Sequence, residues 1–340
     1  MSFQVKCAAL AASIVLTACG GGGSGGDSSS ALSSESLLSI SSVNQAVVTQ
    51  ETMSAQAGAK NNLSGLTGAE VQVPSSATEV ALAQLLFMET FDRNTIVNTL
   101  VGATVSKTAA CKFGGTETVS GTFVEGQPTL YKGNKFTLTA QNCQLVAGEI
   151  SSGTVAIAVN EYVGNPTIFP RNVSFTVGFQ DFVTQKPVSA ERMNGDLTIE
   201  LNGQDSLHDR ATFKSSYLSY GQTLAGVTVT RILKNMLLEG VVSPNVPASV
   251  SKTSTTLVGT LTTSVLGSKT ITYRMVQPFV TLSGNTNPSS GQMLIFGANN
   301  SSLRITAISA ANYTSELDAD GDGNYEPAVT RPWSALSLAF

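Results

Sequence analysis

The chain has little charge, one histidine and one tryptophan. Only 12% of its 340 residues are Asp, Glu, Lys or Arg, which is about half the usual share. Its net charge of −4 argues against a nucleic-acid binder, since such a protein needs a basic face. The single histidine, His208, removes most His-based metal sites and triads, and the single tryptophan, Trp333, weakens a sugar-stacking function.

The scarce catalytic residues predict that the chain is not an enzyme. His208 lies in Asp205–Arg210, and a Ser–His–Asp hydrolase would need it as the base. Adjacent residues of one loop do not supply that geometry alone. No P-loop or HExxH motif is present. The acids of the strand-like regions give no cue to a glycosidase pair: Glu149, Glu161, Asp181 and Glu200.

The first residues have the pattern of an export signal. Lys6 precedes an apolar run, Cys7–Ala18, which is too short to span a bilayer and matches a signal-peptide core. It ends in Leu16-Thr17-Ala18-Cys19. This motif resembles the lipobox of bacterial lipoproteins, in which the cysteine is acylated and becomes the first residue. The resemblance covers about twenty residues and implies a signal peptide over 1–18 and lipidation with diacylglycerol and palmitate at Cys19. The alternative is an ordinary secretory signal with a chance cysteine.

A flexible tether is expected after Cys19. Gly20–Ser30 reads GGGGSGGDSSS, a composition that does not pack. We assign 19–60 to the acylated cysteine and this Gly/Ser-rich tether, with weak helical spacing over Leu37–Met53. Gly21 stands where inner-membrane lipoproteins of enterobacteria carry Asp. The resemblance therefore implies an outer-membrane protein held through its acyl anchor, on either the periplasmic or the exposed side.

Cysteine counting predicts one disulfide. Of four cysteines, Cys7 leaves with the signal and Cys19 is acylated. Cys111 and Cys143 remain as an even pair in an oxidising compartment. A hairpin centred near residue 127 would place them opposite each other across two antiparallel strands. Two free buried thiols are the alternative.

Residues 61–104 are predicted to hold a loop and an amphipathic helix, Thr78–Val101. Ser76 and Glu79 fit a capping box. Apolar side chains recur on one face, including Val80 and Phe87. This face either packs on a sheet or binds a partner as a lid.

Residues 105–340 show the two-residue period of β-strands. Val173, Phe175 and Val177 alternate with polar or small residues. Dipeptides such as Asn194-Gly195 and Asn202-Gly203 are interpreted as turns. We predict a mainly β fold: a large antiparallel meander of roughly a dozen strands, forming a curved half-barrel, sandwich or barrel, with one N-terminal amphipathic helix.

One acidic segment has the spacing of a cation site. Carboxylates at alternate positions suit Ca²⁺, and the pattern resembles the first half of an EF-hand loop. The twelfth position is Val329 rather than Glu, which predicts weak affinity and a structural role. An acidic turn without metal is the alternative. The candidate ligands are Asp318, Asp320, Asp322, Asn324 and Glu326.

These observations predict a non-enzymatic function. The first hypothesis is an outer-membrane-anchored binding or envelope-structural module, with a lipid or other apolar ligand by fold-level analogy to lipid-carrying periplasmic lipoproteins. The second is a surface-exposed adhesion or carbohydrate-binding module stabilised by calcium. Neither requires a cofactor other than Ca²⁺, and neither involves nucleic acid.

Overall fold

A computed structural model describes residues 36–55, 104–122, 131–165, 168–245 and 251–336. A helix, α1, covers residues 45–55. No helix in these ranges is long and apolar enough to cross a membrane. The strands are β1 (Thr104–Ala110), β2 (Thr116–Thr122), β3 (Lys135–Cys143), β4 (Ile150–Asn165), β5 (Ile168–Lys186), β6 (Ser189–Asp205), β7 (His208–Leu224), β8 (Val227–Pro244), β9 (Ser251–Thr263), β10 (Lys269–Leu282), β11 (Ser290–Phe296), β12 (Ser302–Ala307), β13 (Asn312–Asp318) and β14 (Val329–Pro332); short 3-10 helices cover Ser264–Leu266, Ala298–Asn300 and Trp333–Ala335.

All fourteen strands form one antiparallel sheet in chain order. Each strand pairs with the next one along the chain, and turns such as Pro187-Val188 and Ala225-Gly226 are only two residues long. Short connections keep consecutive strands adjacent. The predicted mainly β meander is confirmed. Among the residues that the structure describes, the sheet is single and open, because β1 and β14 are its outermost strands and do not pair with each other.

Alternation along each strand produces the apolar core. In β5, Val173, Phe175 and Val177 are buried, whereas the residues between them are more exposed. The pattern then shifts by one residue, so that Phe182 is buried. A register shift between Phe179 and Phe182 marks a β-bulge there. The extra residue of a bulge reverses which side chains face inward.

The predicted turns at Asn194-Gly195 and Asn202-Gly203 are wrong, because both pairs lie inside β6. Gly195 has φ of +112° and belongs to a bulge in the pairing with β7. A Cβ there would lie 2.0 Å from the carbonyl oxygen of Tyr217. The close backbone approach explains this glycine, which marks a bulge rather than a chain reversal.

The predicted disulfide between Cys111 and Cys143 is present, with 5.4 Å between the Cα atoms. Its place in the sheet differs from the expectation. Thr116 pairs with Gln141 across β2 and β3, so the cysteines do not face each other on two paired strands. Cys111 lies in the β1–β2 turn, and the bond ties that turn to the end of β3. Closing a loop of 32 residues stabilises the fold by roughly 3–4 kcal/mol.

Residues 36–55 pack on the sheet, so the prediction of a flexible tether is wrong for this segment. Leu37 forms a parallel bridge with Thr270. The N–H of Leu38 donates to the Thr270 carbonyl (2.9 Å), and the Leu38 carbonyl accepts from Ala298 (2.8 Å). Ile40 is fully buried. The predicted helix Thr78–Val101 lies outside the described residues.

Six of the eleven residues of α1 are buried, and four of these six are polar, so the sequence does not mark them as core residues. The hydroxyl groups of Thr49 and Thr52 donate to the carbonyls four residues earlier, at 2.8 Å each. This arrangement removes the penalty of burying an unpaired hydroxyl group. Because polar residues occupy buried positions, the helix lacks a clear apolar stripe. The buried residues are Val48, Thr49, Glu51, Thr52, Ser54 and Ala55.

A buried ion pair attaches α1 to the sheet. Arg231 on β8 donates from Nε and Nη2 to the two oxygens of Glu51, both at 2.9 Å. The hydroxyl of Thr263 on β9 also donates to Glu51, at 2.8 Å. The two charged side chains are 3% and 5% exposed. Because a bidentate pair of this kind constrains orientation as well as distance, it fixes the position of the helix on the sheet.

We predict that Glu51→Ala lowers the free energy of unfolding by about 3–5 kcal/mol, because it leaves Arg231 as a buried charge without its carboxylate. Urea denaturation followed by circular dichroism measures this. The matched control is Glu200→Ala, which removes the exposed pair between Glu200 and Lys214 (2.8 Å) and should cost at most about 1 kcal/mol. Equal effects of the two variants would contradict the assigned role of Glu51.

Candidate functional site

The acidic loop between β13 and β14 is built around Asp318. This residue ends β13 and is only 4% exposed. One of its carboxylate oxygens accepts the N–H of Gly321 (2.9 Å) and the other accepts the N–H of Gly323 (3.1 Å). Gly323 has φ of +85°, a conformation that glycine adopts without strain. Asp318 therefore shapes the loop in addition to contributing a carboxylate.

The loop brings three of the candidate ligands together. One oxygen from each of Asp318, Asp320 and Asp322 lies within 4.8 Å of the others. Hydrogen bonds from the side chain and backbone of Asn324 hold the pKa of Asp322 below its usual range. Three carboxylate oxygens converging on one point are hard ligands of the kind that Ca²⁺ prefers.

The other two candidate ligands are placed differently. Asn324 directs its side-chain N–H towards Asp322 Oδ2, at 3.0 Å. Glu326 is not among the carboxylates that converge, and its backbone N–H donates to the carbonyl of Leu317 at 2.7 Å. By Glu326 the chain has returned to the end of β13. Because strands flank the loop on both sides, the arrangement differs from the helix–loop–helix of an EF-hand.

Residues that the sequence did not indicate support this loop. The guanidinium carbon of Arg304 lies 3.8 Å from the centre of the Tyr325 ring, and the hydroxyls of Tyr325 and Ser302 are 2.8 Å apart. A Cβ at Gly321 would lie 2.5 Å from the carbonyl oxygen of Asn299. Both Arg304 and Ser302 belong to β12, about twenty residues away in sequence. Only the pairing of β12 with β13 brings them to the loop.

His208 is an exposed turn residue. It begins β7, and its Nδ1 lies 3.0 Å from both oxygens of Asp205. The contact with His208 lowers the pKa of Asp205. The two residues therefore form a surface pair at the β6–β7 turn, as expected of a histidine in a surface loop.

The scattered acids of the strand regions each contact a cation on a neighbouring strand or turn. Glu149 lies 3.1 Å from Lys186, and Glu161 lies 3.0 Å from Lys132. Such cross-strand ion pairs stabilise a sheet modestly when exposed. The remaining pairs are Glu200 with Lys214 and Asp181 with Arg192.

Comparison of the chain with protein families, curated proteins and solved structures gives no match. Cys19, the predicted lipidation site, lies outside the described residues. The class that the structure itself defines is an open antiparallel meander with an N-terminal helix packed on it.

We predict that Ca²⁺ binds the acidic loop weakly, with Kd of about 10⁻⁴–10⁻³ M, as in extracellular calcium modules. A concentration of about 10 mM Ca²⁺ should then raise the melting temperature relative to EDTA, because ligand binding stabilises the folded state. The double variant Asp320→Asn, Asp322→Asn keeps Asp318 to shape the loop and should lose the shift. Asp181→Asn is the control, since it removes an exposed carboxylate elsewhere. An unchanged shift in the double variant would contradict the assignment.

Proposed function

We propose that this chain is an outer-membrane-anchored lipoprotein whose β domain acts as a non-enzymatic binding or envelope-structural module. The observation that carries the proposal is Leu16-Thr17-Ala18-Cys19, followed by the Gly-rich Gly20–Ser30. A diacylated or triacylated cysteine anchors stably, because each buried CH₂ contributes about 0.8 kcal/mol. The disulfide between Cys111 and Cys143 is consistent with an oxidising compartment.

The sheet supports an apolar ligand as the bound species. Its inner face carries large buried side chains on several strands, such as Phe175 on β5, Ile199 on β6 and Leu233 on β8. Helix α1 is attached to this face through a polar contact, the Glu51–Arg231 pair. A lipid or another apolar molecule would reach this face only through a movement that uncovers it, because those three apolar side chains are at most 1% exposed.

The acidic loop supports a second candidate, a surface module stabilised by calcium. The convergence of Asp318, Asp320 and Asp322 favours it. Adhesion or carbohydrate binding would require exposure on the cell surface. Protease treatment of intact cells tests this: degradation of the β domain supports the surface module, and complete protection removes it.

We predict that Cys19→Ala abolishes palmitate incorporation and releases the chain from the membrane fraction, because acylation requires the thiol group. Radiolabelled palmitate followed by immunoprecipitation measures the first effect, and fractionation measures the second. The control is Thr17→Ala, which leaves a small residue two positions before Cys19 and should keep the label. Equal labelling of Cys19→Ala and the unaltered chain would overturn the proposed anchoring.

We also predict that residues 30–340, exported behind an ordinary secretory signal, retain an apolar adduct in native mass spectrometry. Extraction with organic solvent should remove the adduct, whereas EDTA should not. A chain without any adduct contradicts the carrier function. Loss of only about 40 Da on EDTA treatment favours the calcium-stabilised module.

A further inference from the structure

The turns connect the strands at two opposite edges of the sheet, which are formed by the strand ends. One of these edges presents a row of exposed apolar turn residues. In an antiparallel meander, every second turn lies at the same edge. The turns β1–β2, β3–β4, β5–β6 and β7–β8 form what we call the apolar rim. Its large apolar side chains are between 39% and 74% exposed. They are Phe113, Leu145, Val146, Val188, Leu224 and Val227.

The four turns of the apolar rim are contiguous. Phe113 donates its N–H to the carbonyl of Gln144 (2.9 Å), which joins the first two turns. A Cβ at Gly148 would lie 3.8 Å from Pro187, so the second turn approaches the third. Ala225 donates to the Val188 carbonyl (3.4 Å), which joins the third turn to the fourth. Six strand spacings separate the first and last turns, or about 29 Å along the sheet.

An open groove of about 310 Å³ lies within the apolar rim. The β3–β4 loop forms one wall through Ile150, and the β5–β6 turn forms the other through Pro187 and Val188. Ala190 also lines it. These side chains give the groove a mostly apolar surface, which Gln185, Lys186, Ser189 and Thr223 border.

The charged side chains in the turns of the apolar rim have partners. Lys112 lies over the ring of Phe113, 4.9 Å from its centre, and Lys186 is paired with Glu149. The opposite edge also exposes apolar residues, including Ile168, but its β6–β7 turn carries Asp205, His208 and Arg210. The acidic loop between β13 and β14 lies at the same edge as the apolar rim, but six strand spacings beyond the β7–β8 turn and therefore outside the apolar rim.

The N-terminal segment reaches the sheet at the same edge as the apolar rim. Ser36 accepts the N–H of Thr270 (3.2 Å) and contacts Lys269 Nζ (2.7 Å). Both partners belong to the start of β10, beside the β9–β10 turn. Ser36 follows Cys19 by 17 residues, which span at most about 60 Å. The anchor would therefore hold the edge at which Ser36 joins the sheet within about 60 Å of the bilayer.

We propose that the apolar rim inserts into the surface of the lipid bilayer and orients the anchored sheet with its strands pointing away from the membrane. This inference rests on the proposed acylation of Cys19, which limits the distance between sheet and bilayer. Interfacial binding scales with the apolar area that leaves water, and six exposed apolar side chains provide that area. A hydrocarbon chain at the interface is the ligand that the groove would accept.

The test uses the full lipidated chain in phosphatidylcholine vesicles. A nitrobenzoxadiazole label is attached at Val227→Cys in the apolar rim or, as the matched control, at Ile168→Cys on the opposite edge. These positions are 68% and 62% exposed. The native disulfide and the acylated Cys19 leave the introduced thiol as the reactive one.

Lipids with a spin label near the head group should quench position 227 at least about threefold more than position 168. Adding Val188→Asp and Leu224→Asp should remove the difference, whereas Val163→Asp on the opposite edge should leave it.

Equal quenching at the two positions in membrane-bound protein overturns the proposal. A second outcome also overturns the proposal: the fluorescence of the label at position 227 changes when the protein dimerises in detergent, but is not quenched in vesicles. That outcome assigns the apolar rim to a contact with a second copy. Palmitate labelling of the same preparation separates the two proposals: a labelled chain without preferential quenching contradicts only the inserted rim, and an unlabelled chain contradicts the anchoring.

Discussion

The backbone hydrogen-bond ladder between consecutive strands determines where every other feature of this protein lies. Each strand pairs only with its neighbours in sequence, so successive turns alternate between the two edges of the sheet. The apolar rim, the acidic loop between β13 and β14, and the attachment of residues 36–40 consequently share one edge. The His208 turn lies at the other. The apolar rim combines several turns, and these turns lie together because each of them connects an odd-numbered strand to the next even-numbered one.

Bulges adjust this ladder without interrupting it. Strands β4 and β5 are 16 and 19 residues long, and the register between them shifts at several points along their length. A bulge inserts one residue, and the alternation resumes with the opposite parity. Gly195 shows the same solution in β6, where its close contact with the Tyr217 carbonyl excludes a Cβ. The inner face therefore remains apolar although long strands such as β5 do not keep a single period throughout.

The attachment of α1 combines apolar burial with a specific charge contact. Val48 and Ile40 are fully buried and supply non-directional burial, but they do not select one placement of the helix. The carboxylate of Glu51, shared by Arg231 and Thr263, does. Tyr220 lies beside this contact, its ring centre 5.7 Å from the Arg231 guanidinium carbon, and its burial raises its pKa to about 12. The phenol thus stays neutral and adds no second negative charge beside Glu51.

Sequence alone determined the class of fold, the Cys111–Cys143 pairing and the three carboxylates of the acidic loop, because each depends on a local period or on counting. Alternation in β5 and the spacing of Asp318, Asp320 and Asp322 are visible within ten residues. The packing of residues 36–55, the bulge at Gly195 and the contacts of Arg304 with the acidic loop were decided by the tertiary structure. In each of these the partner lies on another strand, and the energy of the contact arises only when the sheet forms. Polar residues such as Glu51 could be assigned to the interior only once Arg231 was placed opposite, because a buried charge is tolerated only with its partner.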